Sequence, residues 1–450
     1  MHGKPEMKIP ATPPDMARLL GRTTPERLAE IVRTTSMLVA GRYLHWDDVR
    51  HREPPEGLSR EEWWLGMRMA RLSARETLSF RSREGYPLSL VHAAPVRKGL
   101  HEIDRKLGMT GPHSQVRGLV EGHGGKHLLA NSIMEEAIRS SQLEGASTTR
   151  RAAREMIRRG RRPRTHGERM ILNNYHAMER IGELARRDLG RADVFELHRI
   201  LMDGTRDSSM AGRFRSASDD VVVTLVHSDE TAHVPPRAEE LPARLDRLVA
   251  FANDLTPEDW VHPVIRAILL HFMIGYDHPF VDGNGRVARS LFYWSMVRQG
   301  YSLARYLAVS GILRNAPAKY ARSYLHTETD GGDLTYFVDY HIGVIIRSIN
   351  ALASYVGRKM SDIQAIEDRL QGSPDLNHRQ VRLLGHALRH PGFRYTVKSH
   401  GSSHGVTANT ARADLVRLAA AGLLAATKRG RRQEFIATGD LEGALNDYGK

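Results

Sequence analysis

The chain contains no cysteine. That absence removes thiol nucleophiles, Cys-ligated zinc, iron–sulfur centres and any disulfide scaffold, and it fits a reducing compartment. Long apolar runs are missing too. No uninterrupted stretch reaches the roughly 18 to 20 residues that a membrane helix needs, and the opening MHGKPEMKIPATPPD lacks the apolar segment of a secretory signal. No internal repeat or low-complexity segment is visible. These absences predict a soluble, cytoplasmic protein with no membrane partner. Acidic charge is also in short supply: 52 Asp+Glu stand against 66 Lys+Arg, a net charge of +14 over 450 residues. Such a surplus points to anionic partners, nucleotides or nucleic acid. The length suggests about three units and is ample for a buried core without metal or disulfide staples.

The surplus is uneven. Arg150 to Arg164 (RRAAREMIRRGRRPR) carries eight Arg against the single acid Glu155, and Asp375 to Lys450 carries twelve Lys/Arg against six Asp/Glu. A solvated basic helix face is the plain alternative for the first block. Residues 1–110 read as a helical N-terminal region, with Ser59 and Glu62 spaced as a capping box for a helix to about Leu72. Residues 111–350 hold long patterns with apolar residues three and four apart, such as NSIMEEAIRSSQLEG and HPVIRAILLHFMIG, and should be mainly helical. DDVVVTLVHSDETAHVPP interrupts them with a β-branched run, a polar turn at Ser228 to Glu230 and a short return, which predicts a small β-hairpin from about Val221 to Val234. A linker helix over 351–374 leads to a tail, 375–450, whose order of helix, capped helix and basic two-stranded hairpin suits a winged helix. The predicted fold class is mainly α.

The densest chemistry lies in HFMIGYDHPFVDGNGRVARSLFYW, His271 to Trp294. An apolar helix ends near Gly275, a Gly-rich polar loop follows, and a second helix starts at about Asn284. The backbone N–H groups of Gly283, Asn284 and Gly285 then lie at a helix N-terminus, where unpaired donors and the positive dipole end favour a polyphosphate. Arg286 and Arg289, three apart, add forked donors on one face. Asp282 beside them is a carboxylate suited to Mg²⁺ held against phosphates. His278, fixed by Pro279, suits a general base. A structural His-Pro turn and a helix-capping GNGR are the plain alternatives. A dinucleotide-binding fingerprint (Gly283, Gly285, Ala288) fails because a helix, not a strand, precedes it.

HPFVDGNGRVAR resembles the motif of the Fic family, HPFx(D/E)GNGRxxR, and matches it at every fixed position. The resemblance spans roughly the middle half of the chain and implies a helical Fic core that transfers AMP from ATP to a protein Ser, Thr or Tyr hydroxyl. It implies His278 as the base and Asp282 as the Mg²⁺ ligand. Gly283 to Gly285, with Asn284, would cradle the α- and β-phosphates, with Arg286 on the β- and Arg289 on the γ-phosphate. The hairpin, with Val222, Val223 and Thr224, falls where the family keeps a flap that clamps the target by strand addition. Asp277, at a position usually apolar in the family, is placed either to raise the His278 pKa or to orient it. SSQLEG, Ser140 to Gly145, resembles the family's inhibitory pattern (S/T)xxxE(G/N), with the helix at about 131–145. Family precedent pairs Glu144 with Arg289, and Ser140 shares the face of Glu144.

Other readings stay open. The resemblance also allows removal of AMP, or transfer of another phosphate-containing group. A third reading is a DNA-binding regulator whose Fic core only senses nucleotide. Arg412, Arg417, Lys428, Arg429, Arg431 and Arg432 are the DNA-facing candidates of the tail, and protein docking is the alternative use of a winged helix. The protein target can be the chain itself, and a homodimer is compatible with this. His386, His390, His400 and His404 read as solvent-exposed, His198 and His271 as hydrogen-bonded helix residues, and Tyr320 and Tyr324 either as core or as neighbours of the adenine.

Overall fold

The computed structural model describes residues 8–108, 125–225, 230–256, 260–371, 373, 375–390, 392–429 and 432–448. Arg431, part of the predicted turn at 228–229, and the segment around residue 111 lie outside them. The chain divides into two compact units, Met1–Pro112 with Ile133–Ser348, and His113–Ser132 with Ile349–Lys450.

The two longer helices at the start of the first unit are α1 (Pro25–Thr34) and α2 (Arg60–Leu72). Ser59 caps α2 reciprocally: its hydroxyl accepts from the Glu62 N–H, and the Glu62 carboxylate accepts from the Ser59 N–H at 2.8 Å. The capping box therefore stands where the sequence places it, and α2 buries Trp63, Trp64 and Met67. The helical region of residues 1–110 also holds a strand pair that residue order did not announce. Strands β1 (Arg75–Arg81) and β2 (Pro87–Val91) pair antiparallel, with Leu78 and Phe80 of one and Leu88 and Leu90 of the other turned inward. Their period-2 alternation is too short to stand out beside the helical patterns that flank it.

Then come α3 (Ala94–Leu107), α4 (Gly125–Leu143), which belongs to this unit from Ile133 on, α5 (Arg150–Arg159), α6 (His166–Leu184) and α7 (Arg191–Met202). Two short strands follow, β3 (Val223–Thr224) and β4 (Thr231–His233), paired antiparallel with Val223 opposite His233. The unit continues with α8 (Leu241–Ala252), α9 (Pro263–Asp277), α10 (Asn284–Arg298), α11 (Val309–Asn315) and α12 (Pro317–Thr329). Helices α9 and α10 are buried nearly all round, the pattern of central rather than surface helices. Pro263 at the first turn of α9 suits a helix start, and the helix runs two residues beyond the expected Gly275. Most of the basic block of α5 is a solvated face in which Arg150 and Arg154 reach Glu135. Among the described residues no helix is long and apolar enough to cross a membrane.

A single helix, α13 (Thr335–Gln371), has no break at residue 350. In the second unit its later turns supply Ile363, Ile366 and Leu370 to one apolar cluster with Leu383, Leu384, Leu415, Leu418 and Phe435. The other elements are α14 (His378–Arg389), β5 (Arg394–Tyr395), α15 (Val397–His404), α16 (Ala408–Ala420), β6 (Leu424–Arg429), β7 (Arg432–Ala437) and α17 (Leu441–Asp447), with the sheet in the order β5-β7-β6. Helix α15, rich in Ser and His, has no apolar periodicity to announce it. His400 is a correction: it is buried and stands 3.2 Å from the Asp414 carboxylate, which also accepts from Arg379 and Asn377. A charged Asp414 in that place needs these partners, and they join α14, α15 and α16.

Candidate active site

The loop between α9 and α10 is built by its own sequence. His278 ends α9 in the left-handed region (φ 45°), and Gly283 precedes α10 at φ 87°. Between them the Asn284 side chain staples the loop: it accepts from the Phe280 N–H at 3.0 Å and donates to the Phe280 carbonyl at 2.7 Å. The amide oxygen of Asn284 and one of its two N–H donors are thus engaged by the loop itself. Phe280 is fully buried and stacks on the His198 ring at 3.8 Å. His198 bridges further, with Nε2 2.9 Å from the Asp282 carbonyl and Nδ1 accepting from the Gly212 N–H. Since the carbonyl can only accept, His198 is the neutral Nε2–H tautomer, and burial pushes its pKa down to about 4. An added Cβ at Gly283 would stand 3.0 Å from the Met202 sulfur and 3.2 Å from the His198 ring, so only glycine fits.

His278 has a free edge. Its Nδ1 lies 3.3 Å from the Gly275 carbonyl, an acceptor, which places the neutral ring's hydrogen on Nδ1 and leaves the Nε2 lone pair available. Burial lowers its pKa to about 4, so the ring is neutral at physiological pH. The backbone on both sides is pinned: Arg215 donates Nε–H to the His278 carbonyl at 2.8 Å and its N–H to the Pro279 carbonyl at 2.9 Å. Asp277 does not face His278, contrary to both readings of its role. Its carboxylate accepts from Arg244 Nε at 2.8 Å, because a buried carboxylate takes the nearest guanidinium.

At the start of α10, Arg286 bonds Asp282 at 2.8 Å and the Leu201 carbonyl at 3.1 Å. The Asp282 carboxylate is half-exposed and is the loop's one acidic side chain. Arg289, buried one turn on, donates Nε–H to the Ser140 hydroxyl at 2.9 Å and Nη2–H to Glu144 at 2.8 Å. Its Nη1 is buried without a hydrogen bond. Glu144 Oε1 also overlies Gly285, where an added Cβ would come within 2.4 Å of it. Glu144 therefore stands across the N-terminal end of α10, the place most favourable to an anion. Helix α4 is anchored a turn earlier by a residue the sequence does not single out. Glu136 is fully buried and accepts from the Ser310 hydroxyl and, at 3.2 Å, from the Ser310 N–H. Burial raises its pKa to about 7.

Val223 and Thr224 form β3 of the expected hairpin, and Val222 just before it is exposed. Tyr320 and Tyr324 are partly buried, and the His271 Nε2 is 2.9 Å from the Tyr320 hydroxyl. In the second unit Arg412, Arg417 and Lys428 are exposed. The contributions of Arg215, Arg244 and Glu136 had no local signal, since these partners lie 63, 33 and 174 positions away along the chain.

Residues 188–296 match the Fic/DOC family model. The chain is 37% identical over 109 residues to a protein adenylyltransferase Fic of Nematostella vectensis, covering 24% of this chain and 23% of that protein. It is 34% identical over 114 residues to the protein of the same name in Drosophila melanogaster, covering 25% and 21%. It therefore spans less than a quarter of the length of the curated relatives it matches. Among solved structures, a Fic family protein from Desulfovibrio desulfuricans G20 aligns over 77% of this chain and 97% of its own at a TM-score of 0.50 and 19% identity, a likeness of fold.

Proposed function

We propose that this chain, whose residues 188–296 form a Fic domain, transfers AMP from ATP to the hydroxyl of a protein Ser, Thr or Tyr and is held in check by Glu144. The observation that carries the reading is the convergence on one helix N-terminus of a His278 ring with a free Nε2, the backbone of Gly283 to Gly285, and the guanidinium of Arg289. In the reaction the acceptor oxygen attacks the α-phosphorus. One O–P bond forms, the bond from that phosphorus to the oxygen bridging the β-phosphate breaks, and pyrophosphate leaves. His278 Nε2 takes the hydroxyl proton. The N–H groups of the α10 terminus and the guanidinium groups hold the phosphates in line, so positioning and charge stabilisation carry most of the acceleration.

Mg²⁺ fits this place through the chemistry of its donors. Asp282 is half-exposed at the loop, and among the described residues no cluster of three or more His, Asp or Glu offers a cage. One carboxylate, with phosphate oxygens and water, is the usual coordination of Mg²⁺ beside a nucleotide, where the ion neutralises phosphate charge. Glu144 and Ser140 hold Arg289 away from the γ-phosphate in this reading. The β3–β4 hairpin, with Val222, Val223 and Thr224, is the flap that receives the acceptor segment. Residues 111–350 are the Fic core, and 375–450 a winged helix whose exposed Arg412, Arg417 and Lys428 support contact with DNA phosphates.

Incubation of the full chain with ATP labelled at the α-phosphate tests the function. Label should appear on protein with Glu144→Gly and be absent with Glu144→Gly combined with His278→Ala. No label from Glu144→Gly on itself or on a cell extract overturns the transfer reading. If Glu144→Gly instead loses the ability to release AMP from modified protein, the hydrolytic alternative takes its place.

A further inference from the structure

His233, the last residue of β4, is buried with both ring nitrogens engaged: Nδ1 stands 2.7 Å from the Glu328 carboxylate of α12, and Nε2 stands 2.7 Å from the Tyr276 carbonyl of α9. A carbonyl oxygen only accepts, and an ionised carboxylate only accepts, so each nitrogen has to bring a hydrogen. The pair therefore carries one proton more than a neutral imidazole beside a carboxylate. Tyr276 lies two residues before His278, and its ring packs 4.8 Å from that of His233. The same contact thus joins the hairpin, α12 and the last turn of α9.

We propose that His233, as an imidazolium shared with Glu328, is a positioning residue that ties strand β4 to the end of α9 and so sets where an acceptor segment lies relative to His278. This inference rests on the adenylyl-transfer reading for its function, though not for its chemistry. A strand laid along the hairpin is placed by backbone hydrogen bonds, so its register follows the position of β3 and β4. Val223 is directly opposite His233, and the hairpin strands are only two and three residues long. So short a pair has little stability by itself and depends on such anchors.

The surroundings favour the charge. A cavity of about 180 Å³ beside the pair is lined by Thr231 and Val234 of the hairpin, Glu328, and Arg83, Glu84 and Tyr86 of the β1–β2 turn. From α9, Asp277 faces the same region with its carboxylate on Arg244, and Tyr276 accepts at its hydroxyl from the Arg83 N–H. His278 and Arg215 are the further cationic or titratable neighbours. Burial opposes protonation of His233, but the Glu328 carboxylate outweighs it and holds the pKa above the ordinary histidine value. With a folded-state pKa raised, the tie is complete at acid and neutral pH and is lost as pH rises through that raised value. The positive charge also adds to the burial that keeps His278 unprotonated.

The test uses the full chain carrying Glu144→Gly, with a separately tagged His278→Ala copy as acceptor. In ¹⁵N-histidine NMR at pH 7 one ring should show both nitrogens protonated, and His233→Gln should remove that signal. His233→Gln and Glu328→Gln should each raise the acceptor KM about tenfold while leaving the ATP KM within about twofold. In the parent the acceptor KM should rise at alkaline pH, and in both variants it should be flat. A neutral His233 ring at pH 7, or an acceptor KM unchanged in His233→Gln, overturns the proposal. Absence of any transfer from the Glu144→Gly parent to this acceptor and to a cell extract, with the doubly protonated ring in place, overturns the adenylyl-transfer reading and the positioning role with it.

Discussion

Glu144 Oε1 lies 2.8 Å from Arg289 Nη2 and directly over Gly285. One carboxylate thus covers both the guanidinium and the backbone that an anion would use, and a phosphate brought there meets like charge as well as a missing donor. Glu144→Gly should raise adenylyl transfer at least tenfold, a gain in line with release of one charge-assisted bond. Adding Arg289→Ala should cancel the gain, because the two changes act on one contact. Labelled-ATP assays on the single and double variants check this, and additive effects would sink the pairing argument.

As the proposed base, His278 should set the acid limit of the reaction. A base must be neutral, and burial places the His278 pKa at about 4. Activity of the Glu144→Gly chain should therefore hold on the acid side down to about pH 5 and fall as pH passes through 4. His278→Ala should lose transfer while binding ATP within about twofold, since Nε2 acts on the hydroxyl and not on the nucleotide. An acid limb near pH 6.5 would show an ordinary, exposed histidine instead.

Glu136 should make the first unit sensitive to pH. Its folded pKa is raised to about 7 by burial, so its contribution is fully present below the ordinary carboxylate range and is lost as pH rises through 7. Glu136→Gln keeps a partner for Ser310 without the buried charge. It should raise Tm by about 2 °C at pH 8 and leave it unchanged at pH 5. Equal effects at both pH values would mean that Glu136 is not the titrating group.

The exposed Arg412 and Arg417 should contact nucleic acid in the full chain. Replacing both by Ala should weaken duplex DNA binding and reduce the slope of log affinity against log salt by about one per lost phosphate contact. The full chain is needed, because a fragment starting at Asp375 would strip Ile363, Ile366 and Leu370 from the apolar cluster of the second unit. No shift of DNA even at low salt would leave protein docking as the use of this face.

The local chemistry of the site was legible from residue order alone. Glycine at 283 and 285, Asn284 between them and an apolar helix on each side dictate a tight turn into a helix N-terminus, because the requirements are local: positive φ, a cap and period-3.6 burial. The Ser59–Glu62 cap of α2 is of the same kind. Where a side chain points across the fold was not legible. Asp277 is next to His278 in the chain, yet it turns to Arg244, 33 residues earlier. Glu136 and Ser310 meet across 174 residues, and His233 and Glu328 across 95. Such pairs leave no periodic trace, since a buried charge is satisfied by whichever partner packing brings within reach. Residue order thus determined the loop, its helices and the donors they offer. Tertiary structure decided which charges face one another, and therefore that Glu144 stands on Arg289 and that His278 keeps Nε2 free.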